Sequence, residues 1–459
     1  MTFAQLERIQ AINEGKCDTY RSYFRAKQTR RNTSIMLPPE HRDMYFTSVA
    51  YCRLACQVLS ERIELDSVKT VVPNEAADKF LADTLKANGG ADFVNQAHMS
   101  AMEYGRAYLV PTGSKRTDGL PVIQLITAPH MVHRTDPYTG EIVEALRVWG
   151  PQRTKRVYYL PDRTIYLASS GAGRWDLDPD VEQNPVPNPD GRIAVYPLIC
   201  RGEADNTYGR PEAKDVFTLQ DSGCRIASDL SFASATMAAP QRVLHAVEEE
   251  DFVQRNADGT VQLDADDNPV KMTGDQIYTA RLLTLSDPLS KISEYAAAQL
   301  QNFATGQNVV TRQIAALMGV PQSVFGVASD ANPASGDGQR QDDARLVRRS
   351  EQLTRGFQPG WEGLFKDLLR RNGFGDLEIL LRWMNPALPN LASIADSVLK
   401  LASVVVEGHG LYTWEELRQK LGDPQAEIDK AKETIENTAI QQLLTQPSPQ
   451  TNPPPESQA

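Results

Sequence analysis

Between Pro211 and Pro240 the chain offers one uninterrupted helical stretch whose sides are made of small residues: Ala213, Ser222, Gly223, Ala227, Ser228, Ser231, Ala233, Ser234, Ala235 and Ala238. A proline opens the run, where its missing N–H is not needed, and a proline closes it, where the helix cannot continue. At ~1.5 Å per residue such a helix spans about 40 Å, and small side chains let a neighbouring helix approach closely. A second long helix is predicted over residues 289–318. A third is predicted over residues 339–371, with Val347, Leu353, Phe357, Trp361, Leu364, Phe365 and Leu368 along one face. Gly356 and the Gln-Pro-Gly at 358–360 should kink it near its middle. Two interruptions separate these helices. Residues 248–287 are short, extended and acidic, with "NADGT" as a hairpin turn. Residues 319–341, "GVPQSVFGVASDANPASGDGQRQ", are longer and richer in small residues than an ordinary connection inside a compact domain.

Upstream of this framework the chain changes character twice. A short amphipathic helix is predicted over residues 2–13, followed by the basic segment "RSYFRAKQTRR" at 21–31. With Tyr23 and Phe24 interleaved, that segment reads either as a nucleic-acid contact or as a solvated linker between two helices. A helix over residues 41–63 would align Val49, Cys52, Cys56, Leu59 and Ile63, and helices over 74–88 and 91–104 are separated by a Gly-Gly stop. From Arg106 the period becomes extended: "PVIQLITA", "EIVEALRVWG", "KRVYYLP" and "RTIYLASS" predict an antiparallel meander over 106–170. Residues 175–192 read as a polar, Pro-rich loop, and "IAVYPLICR" as a strand. After the strand "LEILLRW", residues 391–445 read as amphipathic helix, and the Pro-, Gln- and Ser-rich tail as disordered. The fold class is α+β, with helices and antiparallel strands in separate stretches of the chain.

At 459 residues with 41% hydrophobic content the chain calls for two or more domains. No apolar stretch is long enough to cross a bilayer; "SVLKLASVVVEGHG" is broken by Lys400 and Glu407. The start, "MTFAQLERIQ", has no secretory pattern, so synthesis inside a cell is expected. Five cysteines at irregular spacing make no disulfide framework, and Cys52 and Cys56 read as small core residues. The net charge of −11, from 48 basic and 59 acidic residues, argues against affinity built on neutralising phosphates. It leaves room for a protein that handles DNA without holding it.

Patterns of catalytic residues fall short in this sequence. Asp264, Asp266, Asn268 and Asp275 occupy positions 1, 3, 5 and 12 of a calcium loop, but position 6 is Pro269 where a glycine is required, so an acidic hairpin is the better reading. Asp176, Asp178 and Asp180 in "WDLDPD" lack a glycine and a later ligand and read as a solvated loop. His130 and His133 would point to opposite faces of an extended segment and read as turn or surface histidines. "SVLK" at 397–400 matches a Ser-x-x-Lys pattern without its companions. There is no Walker A loop, dinucleotide fingerprint or nucleophile elbow. No catalytic residue, metal or cofactor is assigned, and no enzymatic activity is expected.

The order of elements carries more than any motif. The chain resembles the portal proteins of tailed bacteriophages, the branch common in phages of actinobacteria, over about residues 40–420. The matching stretches occur in order: "LSERIEL", "YGRAYLVP", "TDPYTGEIVEALRVW", "GRIAVYPLICR", "YGRPEAKDVFTLQDSGCRIASDL", "APQRVL", "ALMGVPQSVFG" and "ASGDGQRQDDARLVRRSEQLTRGFQPGWEGLF". The resemblance implies a portal fold: a mixed α/β wing at 1–210, stem helices at 211–239 and 289–318, a clip at 240–288, and a tunnel loop at 319–341. It continues with a kinked helix returning to the wing at 342–390, a helical crown at 391–445 and a disordered tail at 446–459. It implies a homo-oligomeric ring, typically of twelve, at one capsid vertex of the virion, assembled in the host cytoplasm. Double-stranded DNA would enter and leave through the ring. Implied partners are the terminase large subunit, a head-completion or adaptor protein, and the major capsid and scaffolding proteins, with no membrane. The loop residues Val327, Ser329, Asp330, Asn332, Ser335, Asp337, Gln339 and Arg340 would face the DNA channel. Since no Lys or Arg precedes Arg340 in the loop, phosphate contact from its tip would run through Asn332, Ser335 or backbone groups. The acids Glu248, Glu249, Glu250, Asp251, Asp264, Asp266 and Asp267 would line the clip or its docking face; over 248–275 nine acids stand against Arg255 and Lys271. Gly223, Ala227, Ser231 and Ala235 would pack the stem. A helical virion adaptor or scaffold that assembles without conducting DNA is the alternative.

Overall fold

Strand alternation and helical periodicity each leave a clear imprint on the structure, a computed structural model. It describes residues 3–28, 42–171, 174–188, 190–204, 206–238, 242–245, 253–256, 258–272, 291–294, 300–326 and 336–387, with short pieces at 398–400, 402, 405–406, 409–410, 412–421 and 428–435. The helices are α1 (Phe3–Phe24), α2 (Tyr51–Ser60), α3 (Glu75–Ala87), α4 (Gly90–Tyr104), α5 (Phe217–Ala238), α6 (Leu300–Met318), α7 (Gly336–Arg371) and α8 (Trp414–Leu421). The strands are β1 (Leu65–Thr70), β2 (Arg106–Lys115), β3 (Pro121–Thr127), β4 (Met131–Thr135), β5 (Ile142–Trp149), β6 (Lys155–Tyr159), β7 (Arg163–Gly171) and β8 (Arg174–Leu177). They continue with β9 (Val186–Pro187), β10 (Tyr196–Ile199), β11 (Arg242–His245), β12 (Lys291–Glu294), β13 (Ile379–Trp383), β14 (Val405–Val406) and β15 (His409–Gly410). The fold is α+β, and no described helix is long and apolar enough to cross a membrane.

Two units divide the chain: Met1–Asn13, Gln57–Arg210 and Ser335–Ala459 form the first, and Glu14–Cys56 with Pro211–Ala334 the second. The first is built on a six-stranded antiparallel sheet in the order β4-β5-β6-β7-β8, with β9 also on β7. Neighbouring residues along these strands point to opposite faces. Met131, Ala145, Val157 and Tyr159 therefore pack on one side with Tyr108, Val110, Ile126, Ile193 and Val195. Val132, Leu146, Val148 and Tyr158 pack on the other, against Leu6 of α1. Both faces are covered, so a one-residue slip of register would exchange two complete cores.

A second, three-stranded sheet, β10-β2-β3, carries α7 on β10. The contact depends on three glycines one helical turn apart. A Cβ on Gly356 would stand 2.7 Å from the Ile199 carbonyl oxygen, one on Gly360 2.5 Å from that of Pro197, and one on Gly363 2.7 Å from the Tyr196 ring. The helix thus lies directly on the strand backbone, and it continues through Pro359, which sits on the exposed side. Its buried side presents Leu353, Phe357, Trp361, Leu364, Phe365 and Leu368, and each large side chain so enclosed contributes roughly 1.5–3 kcal/mol. His98 of α4 stacks on Phe357 with centroids 4.7 Å apart, and its Nε2 accepts the Trp361 indole N–H at 3.0 Å. Burial pushes its pKa down to about 3, keeping that nitrogen free to accept.

Several boundaries differ from the sequence reading. α1 runs to Phe24 instead of ending at residue 13, so Arg21 lies in its last turn. The helix predicted over 41–63 is reduced to α2 and a single turn at Arg42–Tyr45, because Thr47 and Val49 spend their N–H groups on Ser228 Oγ and Cys224 Sγ. The loop at 175–192 contributes β8 and β9. Its Asp178 is buried rather than solvated, bonded at 2.8 Å to Lys155 Nζ, which also reaches Asp180 at 2.6 Å. The Lys155 bond holds the Asp178 carboxyl below the usual carboxylate range. His133 is no surface histidine: it is buried, 2.9 Å from the Tyr108 hydroxyl, while His130 is exposed. Within the stretch read as helical over 391–445, β14 and β15 form an antiparallel pair. The predicted tail lies outside the described residues.

Opposite signs are expected for two glycine substitutions followed by chemical denaturation. Gly360→Ala should destabilise by about 1–3 kcal/mol because helix and strand must separate. Gly15→Ala, in α1 with nothing within 4 Å of the new methyl, should stabilise by up to about 1 kcal/mol. Acid should also weaken the first unit. The folded pKa of His98 lies below its ordinary 6.5, so the unfolded chain takes up the proton first. That contribution is complete above about pH 6.5 and falls away toward pH 3, and the slope of stability against pH in that window should be shallower in His98→Gln.

Candidate functional site

In the second unit the small residues of α5 are used by the chain itself. Gly223 leaves room for Tyr51: a Cβ there would lie 3.1 Å from the Tyr51 ring and 3.4 Å from both Val49 and the Gln307 amide. Cys224 Sγ accepts from Gln28 Nε2 at 3.0 Å and from the Val49 N–H at 3.4 Å. Ser228 Oγ accepts the Thr47 N–H at 3.0 Å and donates to the Cys224 carbonyl at 2.7 Å, while the Thr47 and Ser231 hydroxyls stand 3.1 Å apart. Gln220 joins both sides, accepting the Cys52 N–H at 2.9 Å and donating to the Tyr23 carbonyl at 2.7 Å. Residues 45–52 therefore lie as a strap along the face of α5 that carries Gly223, Ser228 and Ser231. Ala227 and Ala235 are half-buried.

The base of α5 is closed by aromatic packing. Tyr23 stacks on Phe217 with centroids 4.2 Å apart and donates its hydroxyl to Asp221 at 2.8 Å. Burial first, and then the Asp221 bond, push its pKa up to about 12. The α-helix starts at Phe217, five residues later than the Glu212 read from the sequence, because Lys214–Val216 forms a tighter turn.

α6 packs on α5 through its own glycine, Gly306, where a Cβ would stand 3.6 Å from Ile226 Cδ1. It buries Val310, Thr311, Ile314, Ala315 and Met318, and leaves Thr305, Asn308, Val309, Arg312 and Leu317 exposed. Tyr51 closes the group, hydrogen-bonded to Gln307 and edge-on to Phe325 at 5.5 Å. α6 begins at Leu300 instead of residue 289. Lys291–Glu294 is extended and pairs with Arg242–His245, so one strand pair carries the chain away from α5 and back toward α6.

Between these strands, residues 253–271 form two tight hairpins sharing a middle arm. The backbone bonds run from Gln254 N to Val270 O, Gln262 N to Gln254 O and Val270 N to Gln262 O, at 2.8 to 2.9 Å. At the first tip Asp258 accepts from the Thr260 N–H and hydroxyl, which hold its carboxyl below the usual range. At the second, Asp264 accepts from the N–H groups of Asp266 and Asn268, both at 2.9 Å, and Asp267 takes φ +61°. The calcium-like spacing is thus turn chemistry, with the first carboxylate turned inward to its own backbone. Asp264, Asp266 and Asp267 are exposed at this tip; Glu248, Glu249, Glu250 and Asp251 lie outside the described residues. Among the described residues no three His, Cys, Asp or Glu side chains stand together as a cation site.

The connection after α6 divides in two. Gly319 takes φ +69°, Val320 N bonds Ala315 O at 3.1 Å, and Gln322–Phe325 winds into a short 3-10 turn ended by Gly326. Val327, Ser329, Asp330, Asn332 and Ser335 lie outside the described residues. Asp337, read from the sequence as loop, and Gln339 and Arg340, read both as loop and as the start of the third helix, belong to the opening turns of α7. The strap at 45–52 and the β11–β12 pair escaped the sequence reading. Thr47 and Val49, both poor helix formers, were the available signal for the first.

Gly223→Leu should push Tyr51 off α5 and cost about 1–3 kcal/mol. Hydrogen exchange is expected to show this as faster exchange of the Thr47 and Val49 amides, with the amides of β5 and β6 unchanged.

The chain is similar to proteins of known kind over most of its length. The chain is 25% identical over 438 residues to the portal protein of Mycobacterium phage D29, covering 92% of this chain and 85% of that one. It is 25% identical over 455 residues to the portal protein of Mycobacterium phage L5, covering 95% and 89%. A chain in the neck of a native gene transfer agent particle, computed with C12 symmetry, superposes with a TM-score of 0.45 at 13% identity, covering 88% of this chain and 99% of that one. The family model described as "Phage portal protein, SPP1 Gp6-like" matches residues 15–441, and the chain belongs to that family of phage portal proteins.

Proposed function

We propose that this portal protein closes into a ring of twelve chains at one vertex of the phage capsid and forms the channel through which double-stranded DNA is packaged and ejected. The observation that carries this reading is the α5–hairpin–α6 excursion within a family match spanning nearly the whole chain: two packed helices with an exposed acidic element between them. In this assignment α5 and α6 are the stem, and the hairpins are the clip, where the terminase large subunit docks first and a head-completion or adaptor protein later. The first unit supplies the wing, which meets the major capsid and scaffolding proteins. The ring is part of the virion and assembles in the host cytoplasm.

Electrostatics suit a conduit. A surplus of eleven acids per chain, repeated around a ring, repels phosphate and lets DNA slide without a counterion-release trap. Nothing in the arrangement calls for bond-making chemistry. The role is mechanical: to hold a hole open, to present acids such as Asp264, Asp266 and Asp267 to partners, and to place residues 327–335 at the narrowest point.

Negative-stain microscopy of the purified protein tests this directly. A single class of ring with a central hole wide enough for duplex DNA is expected; filaments or monomers would overturn it. Deleting residues 327–335 should leave the ring intact and reduce DNA packaged per head, and unchanged packaging would remove the loop from the account.

A further inference from the structure

We infer that three exposed arginines on the first half of α7, Arg345, Arg348 and Arg355, form a contact stripe for the phosphate backbone of duplex DNA; this rests on the reading of the chain as a DNA conduit. The stripe follows from how the helix is anchored. Leu346, Ser350, Leu353 and Phe357 are buried, which fixes the side left to solvent. At 100° and 1.5 Å per residue, Arg345, Arg348, Gln352 and Arg355 fall within a band about 80° wide and about 15 Å long. A well-packed helix holds them in register.

The chain leaves these cations unmatched. Among the described residues Arg345 and Arg348 have no carboxylate at ion-pair distance, and Arg355 reaches only the Glu351 carbonyl oxygen, at 3.3 Å. Asp343, the nearest described acid on the N-terminal side, turns to Arg62 at 3.8 Å. Five other arginines are matched: Arg134 to Glu144, Arg156 to Glu7, Arg210 to Glu203, and Arg370 and Arg371 to Asp367. Exposed Arg53, Arg116 and Arg192 also lack a described carboxylate partner, but each stands on a separate element, so what distinguishes α7 is three such cations on one helix face. In a chain with a net charge of −11, unmatched arginines on one rigid face call for an anion from another molecule. A duplex suits the stripe better than an acidic protein does. The residues exposed along it are Ala344, Gln352 and Glu351 besides the arginines, with no aromatic or large apolar anchor of the kind protein interfaces use. The sequence before Arg340 in the connection from α6 contributes no Lys or Arg, so the cations nearest that loop are those of α7.

The test is binding of a labelled 30-base-pair duplex to the full-length ring, by fluorescence anisotropy, across potassium chloride concentrations. Each phosphate contact adds about 0.9 to the slope of log affinity against log salt. Arg345→Gln/Arg348→Gln/Arg355→Gln should reduce that slope by about 2–3 and weaken binding at least about tenfold at low salt, with each single variant intermediate. Arg163→Gln/Arg174→Gln, which removes two exposed arginines that lie beside Asp162 and Asp176, should bind as the parent does. Rings of the triple variant that bind with unchanged slope and affinity overturn the inference while leaving the conduit reading intact. Unchanged DNA binding with loss of incorporation into heads assigns the stripe to an acidic protein and equally overturns it. A parent chain that forms no ring overturns both readings together.

Discussion

The second unit depends on close approach to α5. Gly223 admits the Tyr51 ring, Ser228 and Ser231 bind Thr47, and on the α6 side Gly306 admits Ile226. Larger residues at these positions would hold apart α5, α6 and the strap at 45–52. The small-residue composition of residues 213–238 is therefore a statement about intimacy of packing first. Part of that packing lies within one chain, and the half-buried Ala227 and Ala235 remain for a neighbouring copy in the proposed ring.

A similar solution recurs in the first unit. Gly356, Gly360 and Gly363 let α7 rest on the backbone of β10, so that Trp361 and Phe357 reach His98 behind it. Without that contact the helix would stand away from the sheet and its exposed arginines would lose their fixed register. The close seat of α7 on β10 thus fixes the face on which Arg345, Arg348 and Arg355 are exposed. Charge is unevenly placed: acids dominate the hairpin tips, while the first half of α7 carries three exposed arginines on one face.

Much of the architecture was legible because its periods are strong. The meander over 106–170 appears as β2 to β7, and "LEILLRW" contains β13. The helices over 74–88 and 91–104 appear as α3 and α4, because Asn74 caps one and the Gly-Gly pair ends it. What failed to show was decided by partners distant in sequence. Residues 46–50 leave the helix because Ser228 and Cys224 take the N–H groups of Thr47 and Val49, and residues 291–294 pair with 242–245, far apart in sequence. Asp178 looked solvated until Lys155 was brought beside it. Of the residues read as functional, Gly223 and Ser231 lie on α5, and within the chain they meet Tyr51 and Thr47. Asp264, read from the sequence as part of an acidic hairpin, stands at a hairpin tip and accepts the N–H groups of Asp266 and Asn268.

The central claim is that these helices exist to line a closed ring. Native mass spectrometry of the purified chain, 50.9 kDa per copy, tests it most directly. A single species of twelve chains, resistant to dilution, is the result this account requires; a monomer, or an open ladder of ever larger oligomers, would contradict it.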